Sequence, residues 1–379
     1  MTNKNNFERP WNEMRDWQND DLLISSTARE TFQNAHPKAF EVLDWPELRA
    51  YFMEHEKQAN KYKHFTRHSG HLAVISAFIA LIGPNLLMAL NLSTTWHTAL
   101  GLIIFLAASL TLFLSLTQLL NGKNKKIWMA SRFKTETIRR FFYQFLLQNF
   151  ECAAAAMTNQ EKLDELREKQ QKAFSALQLE YLSNPQDCLL NMLSQNNSYH
   201  VPIWLSQKWT DKTIPKDIPE EFQENAELLL DILRQKRLDV QYTYSLKKLE
   251  GAKLSLQKKV HILKASFVFL ALLLMGCVAV LGFQSAFFNP ADLMPISFCI
   301  GVLSTLIVTL QMYERGCNME SEKDRMSWFN SSVDRLRSRY INTENTDEKL
   351  GILIEFEELV YQEMVHFFTY EDRIIFIAI

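Results

Sequence analysis

The stretch from Leu72 to Leu120 reads LAVISAFIALIGPNLLMALNLSTTWHTALGLIIFLAASLTLFLSLTQLL, two apolar runs joined by a short polar bend. Neither Leu72–Leu92 nor Leu100–Leu120 contains Asp, Glu, Lys or Arg. At 1.5 Å per helical residue each run covers about 30 Å, the thickness of a bilayer's hydrocarbon core. Lipid offers no partner for backbone amides, so such runs must become helices, and the bend Ser93–Thr98 makes them a hairpin. Ala265–Phe283 and Ile296–Tyr313 repeat the pattern later in the chain. The expected fold is an all-α membrane protein. Four transmembrane helices form two hairpins, with long cytoplasmic helices gathered into a bundle.

The slightly negative mean hydropathy of the 379 residues is an average over four apolar spans and a larger polar remainder. Formal net charge is only -2, so the distribution of charge says more than its sum. Lys57, Lys61, Lys63 and Arg67 precede the first span, and Lys123, Lys125, Lys126, Arg132 and Lys134 follow the second. Lys258, Lys259 and Lys264 enter the third, and Arg315, Lys323 and Arg325 follow the fourth. Neither Ser93–Thr98 nor Gln284–Pro295 carries Lys or Arg. The positive-inside rule then places both termini and the central segment in the cytoplasm. The polar start, Met1–Asp21, does not read as a signal peptide. Cys152, Cys188, Cys277, Cys299 and Cys317 are not spaced as metal ligand pairs or as a disulfide framework, which fits a reducing compartment.

Outside the spans the chain divides into residues 1–45, a first hairpin unit 46–182, a Pro-containing linker 183–219 and a second hairpin unit 220–379. Thr27 with Glu30 and Thr158 with Glu161 have the spacing of capping boxes. Pro185, Pro202, Pro215 and Pro219 interrupt helix formation in the linker, and Pro219-Glu220-Glu221 opens a helix that runs toward the third span. Leu228, Ile232, Tyr242, Leu246, Leu249, Leu256, Val260 and Leu263 fit a heptad seam along it, either packed in the bundle or projecting as an oligomerising arm. The order of basic helix, span, bend, span and basic helix occurs twice in the same direction, the signature of a parallel duplication.

Trp128, Arg132, Glu136, Arg139 and Tyr143 recur on one helix just beyond the first hairpin, and Glu358 and Glu363 mark an acidic last helix. In these residues the chain resembles the SLATT family of bacterial two-transmembrane effectors. The second copy departs from the pattern: no tryptophan stands just beyond Tyr313, and His366-Phe367 occupies the place of a family Trp. The resemblance implies a bacterial inner-membrane protein of antiviral or conflict systems, coupled to a nucleotide-signalling or sensor partner and acting on the membrane.

No catalytic signature is present: no Gly-rich phosphate loop, no His-Glu-x-x-His, no Cys-x-x-Cys and no nucleophile elbow, with only ten glycines in the chain. An enzyme, and with it a cofactor, is not expected. Mixed charge on the cytoplasmic segments argues against nucleic acid. The spans lack the ionisable groups that proton relays use. Ala107, Thr111, Ser115 and Gln118 on the second span, and Ser297, Gly301, Thr305, Thr309 and Gln311 on the fourth, form polar or small-residue stripes. They serve either close helix packing or a pore formed by a homo-oligomer. Gly83-Pro84-Asn85 interrupts the first span, as a structural kink or as a gating hinge at Pro84 and Asn85. His64, His68 and His71 share a helix face at the membrane boundary, with His261 in a similar place, and suit an interface better than a metal site. The sequence therefore leads to an oligomerising membrane effector that permeabilises the inner membrane. The alternative is a non-conducting scaffold or sensor that recruits a partner through its cytoplasmic helices.

Overall fold

A computed structural model describes residues 21–90, 93–116, 122–194, 218–250, 252–283, 294–317 and 319–373. Among the described residues all regular structure is helical. In chain order the helices are α1 (Ser26–Ala35), α2 (Pro37–Leu43), α3 (Pro46–Ala89), α4 (Thr94–Leu116), α5 (Lys123–Gln148), α6 (Phe150–Ala156) and α7 (Gln160–Leu177). They continue with α8 (Pro185–Ser194), α9 (Gln223–Leu233), α10 (Val240–Glu250), α11 (Ala252–Phe283), α12 (Met294–Cys317), α13 (Met319–Asn342) and α14 (Thr346–Arg373). Four of them, α3, α4, α11 and α12, contain a stretch long and apolar enough to cross a membrane.

Helix α3 is 44 residues, about 66 Å at 1.5 Å per residue. Pro46 at its first turn supplies a preset φ, and Glu47 complements the helix dipole. Its first half buries Leu48, Phe52 and Ala59 against α5. Its second half is the first apolar stretch, so one continuous helix carries both a core-packed segment and an apolar one. At the other end of the span the second helix begins at Thr94, leaving a shorter break than the six-residue bend Ser93–Thr98. Thr98 donates to the Thr94 carbonyl at 2.9 Å, one of the local bonds that lets these hydroxyl residues enter the first helical turn. Gly122, with φ of 32°, takes the left-handed conformation that starts α5.

The non-spanning helices share an apolar core contributed by α1, α2, the first part of α3, α5, α6, α7, α9, α13 and α14. Trp45 sits at one focus of it, its ring 5.5–6.5 Å from Phe141, Phe142, Phe145 and Phe174. Leu22 and Leu23 are both buried there, and Leu23 carries a positive φ of 54° that a branched side chain adopts only under constraint.

The helix caps differ slightly from the sequence reading. Asn159, not Thr158, caps α7 by accepting from the Lys162 amide at 3.2 Å, and Thr158 instead accepts from Asn225 Nδ2 at 3.0 Å. Ser25 caps α1, two residues before Thr27, and Pro37 opens α2. Two π-helical turns, Gln178–Leu182 and Arg234–Asp239, carry no sequence signature. The second lies between α9 and α10 and turns Arg237 and Leu238 inward. On the heptad seam Ile232 and Val260 are buried, whereas Leu228 and Leu263 are exposed. Residues 195–217 of the linker and the final run 374–379 lie outside the described residues.

Candidate functional site

Helix α3 contacts both α4 and α12, and α11 packs on α12. The close approach of α3 to α4 depends on Gly83: a Cβ there would stand 2.3 Å from Ile104 Cγ1. One helical turn further along the pair, Ala107, Thr111 and Ser115 are buried against α3. The Thr111 hydroxyl lies 2.8 Å from Ser76 Oγ and 2.9 Å from the Ala107 carbonyl, and donates to one at a time. Asn85 faces α12, where a Cβ on Gly301 would meet its Oδ1 at 3.6 Å, while Pro84 is exposed. Thr305 and Thr309 donate to carbonyls one turn back, Gly301 at 3.0 Å and Thr305 at 2.8 Å. Ser297 and Gln311 are exposed, and Gln118 lies outside the described residues. The stripes thus divide: span two turns inward on α3, and span four presents part of its stripe to α3 and part to its surroundings.

The densest chemistry lies away from the spans, on α5. Arg132, Glu136, Arg139 and Tyr143 fall on one strip of this helix because three- and four-residue steps return to the same side. Arg132 Nη2 pairs with Glu136 Oε1 at 2.5 Å and Nη1 with Glu56 Oε2 of α3 at 3.0 Å. Arg139 Nη1 donates to Glu136 Oε1 at 2.8 Å. Its Nε stands 2.9 Å from Asp21 Oδ2 without pointing at it, an ion pair rather than an aligned hydrogen bond. Arg237 grips Glu357 of α14 with two donors, Nε to Oε1 at 2.6 Å and Nη2 to Oε2 at 3.1 Å, and reaches Asp21 Oδ2 with Nη1 at 3.4 Å. Tyr143 donates to the Asp21 carbonyl at 2.5 Å, with the Lys236 carbonyl at 3.3 Å as its alternative acceptor. Aromatic faces cover two of the cations: Arg139 lies 5.0 Å from the Phe52 ring centre and Arg237 4.7 Å from that of Tyr143.

This cluster therefore ties five separate segments together, at Asp21, α3, α5, the π-helical turn and α14. Its electrostatics are uneven. Burial raises the Asp21 carboxyl above its ordinary range, outweighing Arg139 and Arg237. Burial also works to raise Glu136, but Arg132 and Arg139 win and hold it at about 2. Arg140, the next residue round the helix, is pushed down to about 10 by burial, with Glu357 and Tyr361 opposing. Buried ion pairs gain little net stability over apolar packing, yet removing one partner strands a charge and costs several kcal/mol.

Five of the motif residues read from sequence lie together on α5, with Trp128 buried near the helix start and the Arg67 guanidinium 5.9 Å from its ring centre. Glu363 pairs with Arg325. Glu358 is half-buried beside the cluster's true member, Glu357, which sequence reasoning missed along with Asp21, Arg140 and Arg237. Those partners come from segments distant in the chain, and no local spacing announces them. Near the ends of the apolar stretches the His71 ring lies 5.6 Å from that of Tyr313, and His261 Nε2 stands 2.9 Å from Glu314 Oε1, which Lys264 also approaches. Among the described residues no group of three or more His, Cys, Asp or Glu is placed to hold a metal. No family model, no curated protein and no solved structure matches the chain.

Proposed function

We propose that the chain is a bacterial inner-membrane effector, held closed by its cytoplasmic helices until a cytoplasmic trigger lets it oligomerise and permeabilise the membrane. In this reading α3–α4 and α11–α12 are the two hairpins, the remaining helices are the cytoplasmic bundle, and both termini face the cytoplasm. Lys and Arg on the inner flanks, and their lack in the bend 93–98, support that orientation. The observation that carries the proposal is the continuity of α3. Its first half is anchored in the buried charge cluster through Glu56 and Phe52, and its second half is the span that touches both α4 and α12. Any trigger that parts the cluster moves the central span. The SLATT resemblance supports the output, a change in the membrane, and suggests a nucleotide-signalling or sensor protein as the source of the trigger.

The test uses a variant in place of the trigger. Arg237→Met strands Glu357 and loosens the cluster, so dye-loaded liposomes bearing this variant leak faster than those bearing the unaltered chain. Equal, sealed vesicles from both, with the variant still folded and inserted, would refute the effector.

A second reading has its own observation. Thr111 is consumed in the α3–α4 contact with Ala107 and Ser115 buried beside it, leaving exposed Leu102, Phe105, Leu106 and Phe113 on α4. That distribution favours a non-conducting scaffold or sensor that recruits a partner through its cytoplasmic helices. It predicts stable capture of a partner with no change in membrane potential on induced expression.

A further inference from the structure

Beside the strip that joins the charge cluster, α5 carries a second polar strip. Thr137, Arg140 and Gln144 lie within about 60° of one another around the helix. Phe133 extends the same face and packs on the Phe368 ring of α14 at 5.9 Å. The strip thus looks toward α14, and α8 packs against both α5 and α14 as a further wall. Thr137 is 1%, Arg140 2% and Gln144 4% exposed. Among the described residues four of their polar atoms find no hydrogen-bond partner: Thr137 Oγ1, Arg140 Nε and Nη1, and Gln144 Oε1.

One orphaned buried polar atom is uncommon, and each is destabilising. Four on a single face share a cause. No carboxylate among the described residues stands within ion-pair distance of Arg140: Glu357, whose charge acts on it from further away, is gripped by Arg237, and Asp21 and Glu136 are turned to Arg139. Arg140 meets instead the face of Tyr361, its guanidinium 4.6 Å from the ring centre. The group is therefore rich in donors and carries one cation with no carboxylate in direct contact among the described residues. A guanidinium fits an oxyanion in shape as well as in charge, and a threonine hydroxyl adds a third donor. The Gln144 carboxamide offers either end to a ligand, its oxygen to a protonated oxyanion or its nitrogen to a bare one. Position narrows the source. Arg140 lies about 26 Å along α5 from Lys123, where the helix leaves the second span, out of reach of a lipid headgroup.

We infer that Thr137, Arg140 and Gln144 of α5, roofed by Tyr361 of α14, form a buried binding site for a soluble phosphate-type oxyanion. Its charge completes the cluster, so that the packing of α14 and α8 on α5 depends on the anion. The site stands apart from permeabilisation, and its test involves no leak.

The probe is inorganic phosphate, added to the purified full chain in detergent at constant ionic strength. Equilibrium dialysis is expected to show saturable binding of one phosphate per chain, with a rise in the thermal midpoint. Thr137→Val, which keeps the shape and removes the hydroxyl, weakens binding about tenfold or more, the worth of one hydrogen bond to a charged group. Arg140→Gln abolishes saturable binding. If Arg140→Gln fails to fold, Thr137→Val and Gln144→Leu still decide the matter. Absence of saturable binding, as when water alone serves these groups, would overturn the inference. So would affinity unchanged in Thr137→Val and Gln144→Leu, equal competition by chloride, or displacement of phosphate by phosphatidylglycerol in the micelle.

Discussion

Replacing Arg237 by Met probes how the molecule is held together. Arg237 is 2% exposed, donates to both oxygens of Glu357 and approaches Asp21 with its remaining nitrogen. Asp21 keeps Arg139 in the variant, but Glu357 loses its only direct ionic partner among the described residues while staying buried. Breaking a buried pair from one side costs about 3–5 kcal/mol, because the stranded charge keeps its desolvation penalty. At about 2–4 °C per kcal/mol for a unit of this size, the thermal midpoint falls by about 6–20 °C. Circular dichroism of the detergent-solubilised protein measures it, and hydrogen exchange locates the loss in α9 and α14. Replacing Glu357 by Met as well removes the stranded charge, so the double variant recovers most of the stability. A single variant within about 1 kcal/mol of the unaltered chain, or a double variant worse than the sum of the singles, would refute the reasoning.

Glu136 is held at about 2 against an ordinary 4.5, so its charged form stabilises the fold above the unfolded value, and that stability is lost as pH falls toward about 2. Glu136→Gln therefore costs on the order of 3 kcal/mol at neutral pH, and chemical denaturation at a series of pH values shows the cost fading through the acid range. Gly83→Ala drives a methyl into Ile104 and destabilises the α3–α4 contact by about 1–3 kcal/mol, read from unfolding in mixed micelles, and Ile104→Ala restores it. Thr111→Val removes one interhelical hydrogen bond and costs about 0.6 kcal/mol in the same assay, far less than Gly83→Ala.

The spans were legible because lipid solvation is a local constraint: an uncharged run of about 20 residues has few other destinations. The long rod of α3 was legible too, since Leu48, Phe52 and Ala59 continue at helical spacing into Leu72 without a breaker. The charge cluster was half legible. Arg132, Glu136, Arg139 and Tyr143 share one strip of one helix, which a sequence displays. Their counter-charges do not share a local pattern: Asp21, Glu56, Arg237 and Glu357 are brought in by tertiary packing, and Arg237 and Asp21, in direct contact, are 216 residues apart in the chain. Arg237 was hidden further by the π-helical turn, whose extra residue shifts the inward face and makes the 3.6-residue period point elsewhere. Glu357 and Glu358 are neighbours in sequence, and only the orientation of α14 decides which enters the core. The capping boxes slipped by one or two residues because Ser25 and Asn159 cap as well as threonine does.

The claim on which the account rests is that the apolar helices cross the lipid and leave the charge cluster on one side of it. Labelling with a membrane-impermeant maleimide tests it directly, on intact spheroplasts, with single cysteines at His97→Cys in the first turn of α4 and Arg167→Cys on α7. The account predicts that His97→Cys reacts from outside and Arg167→Cys only after lysis. Equal reaction of both in intact spheroplasts, or release of the chain from membranes by alkaline carbonate, would contradict it.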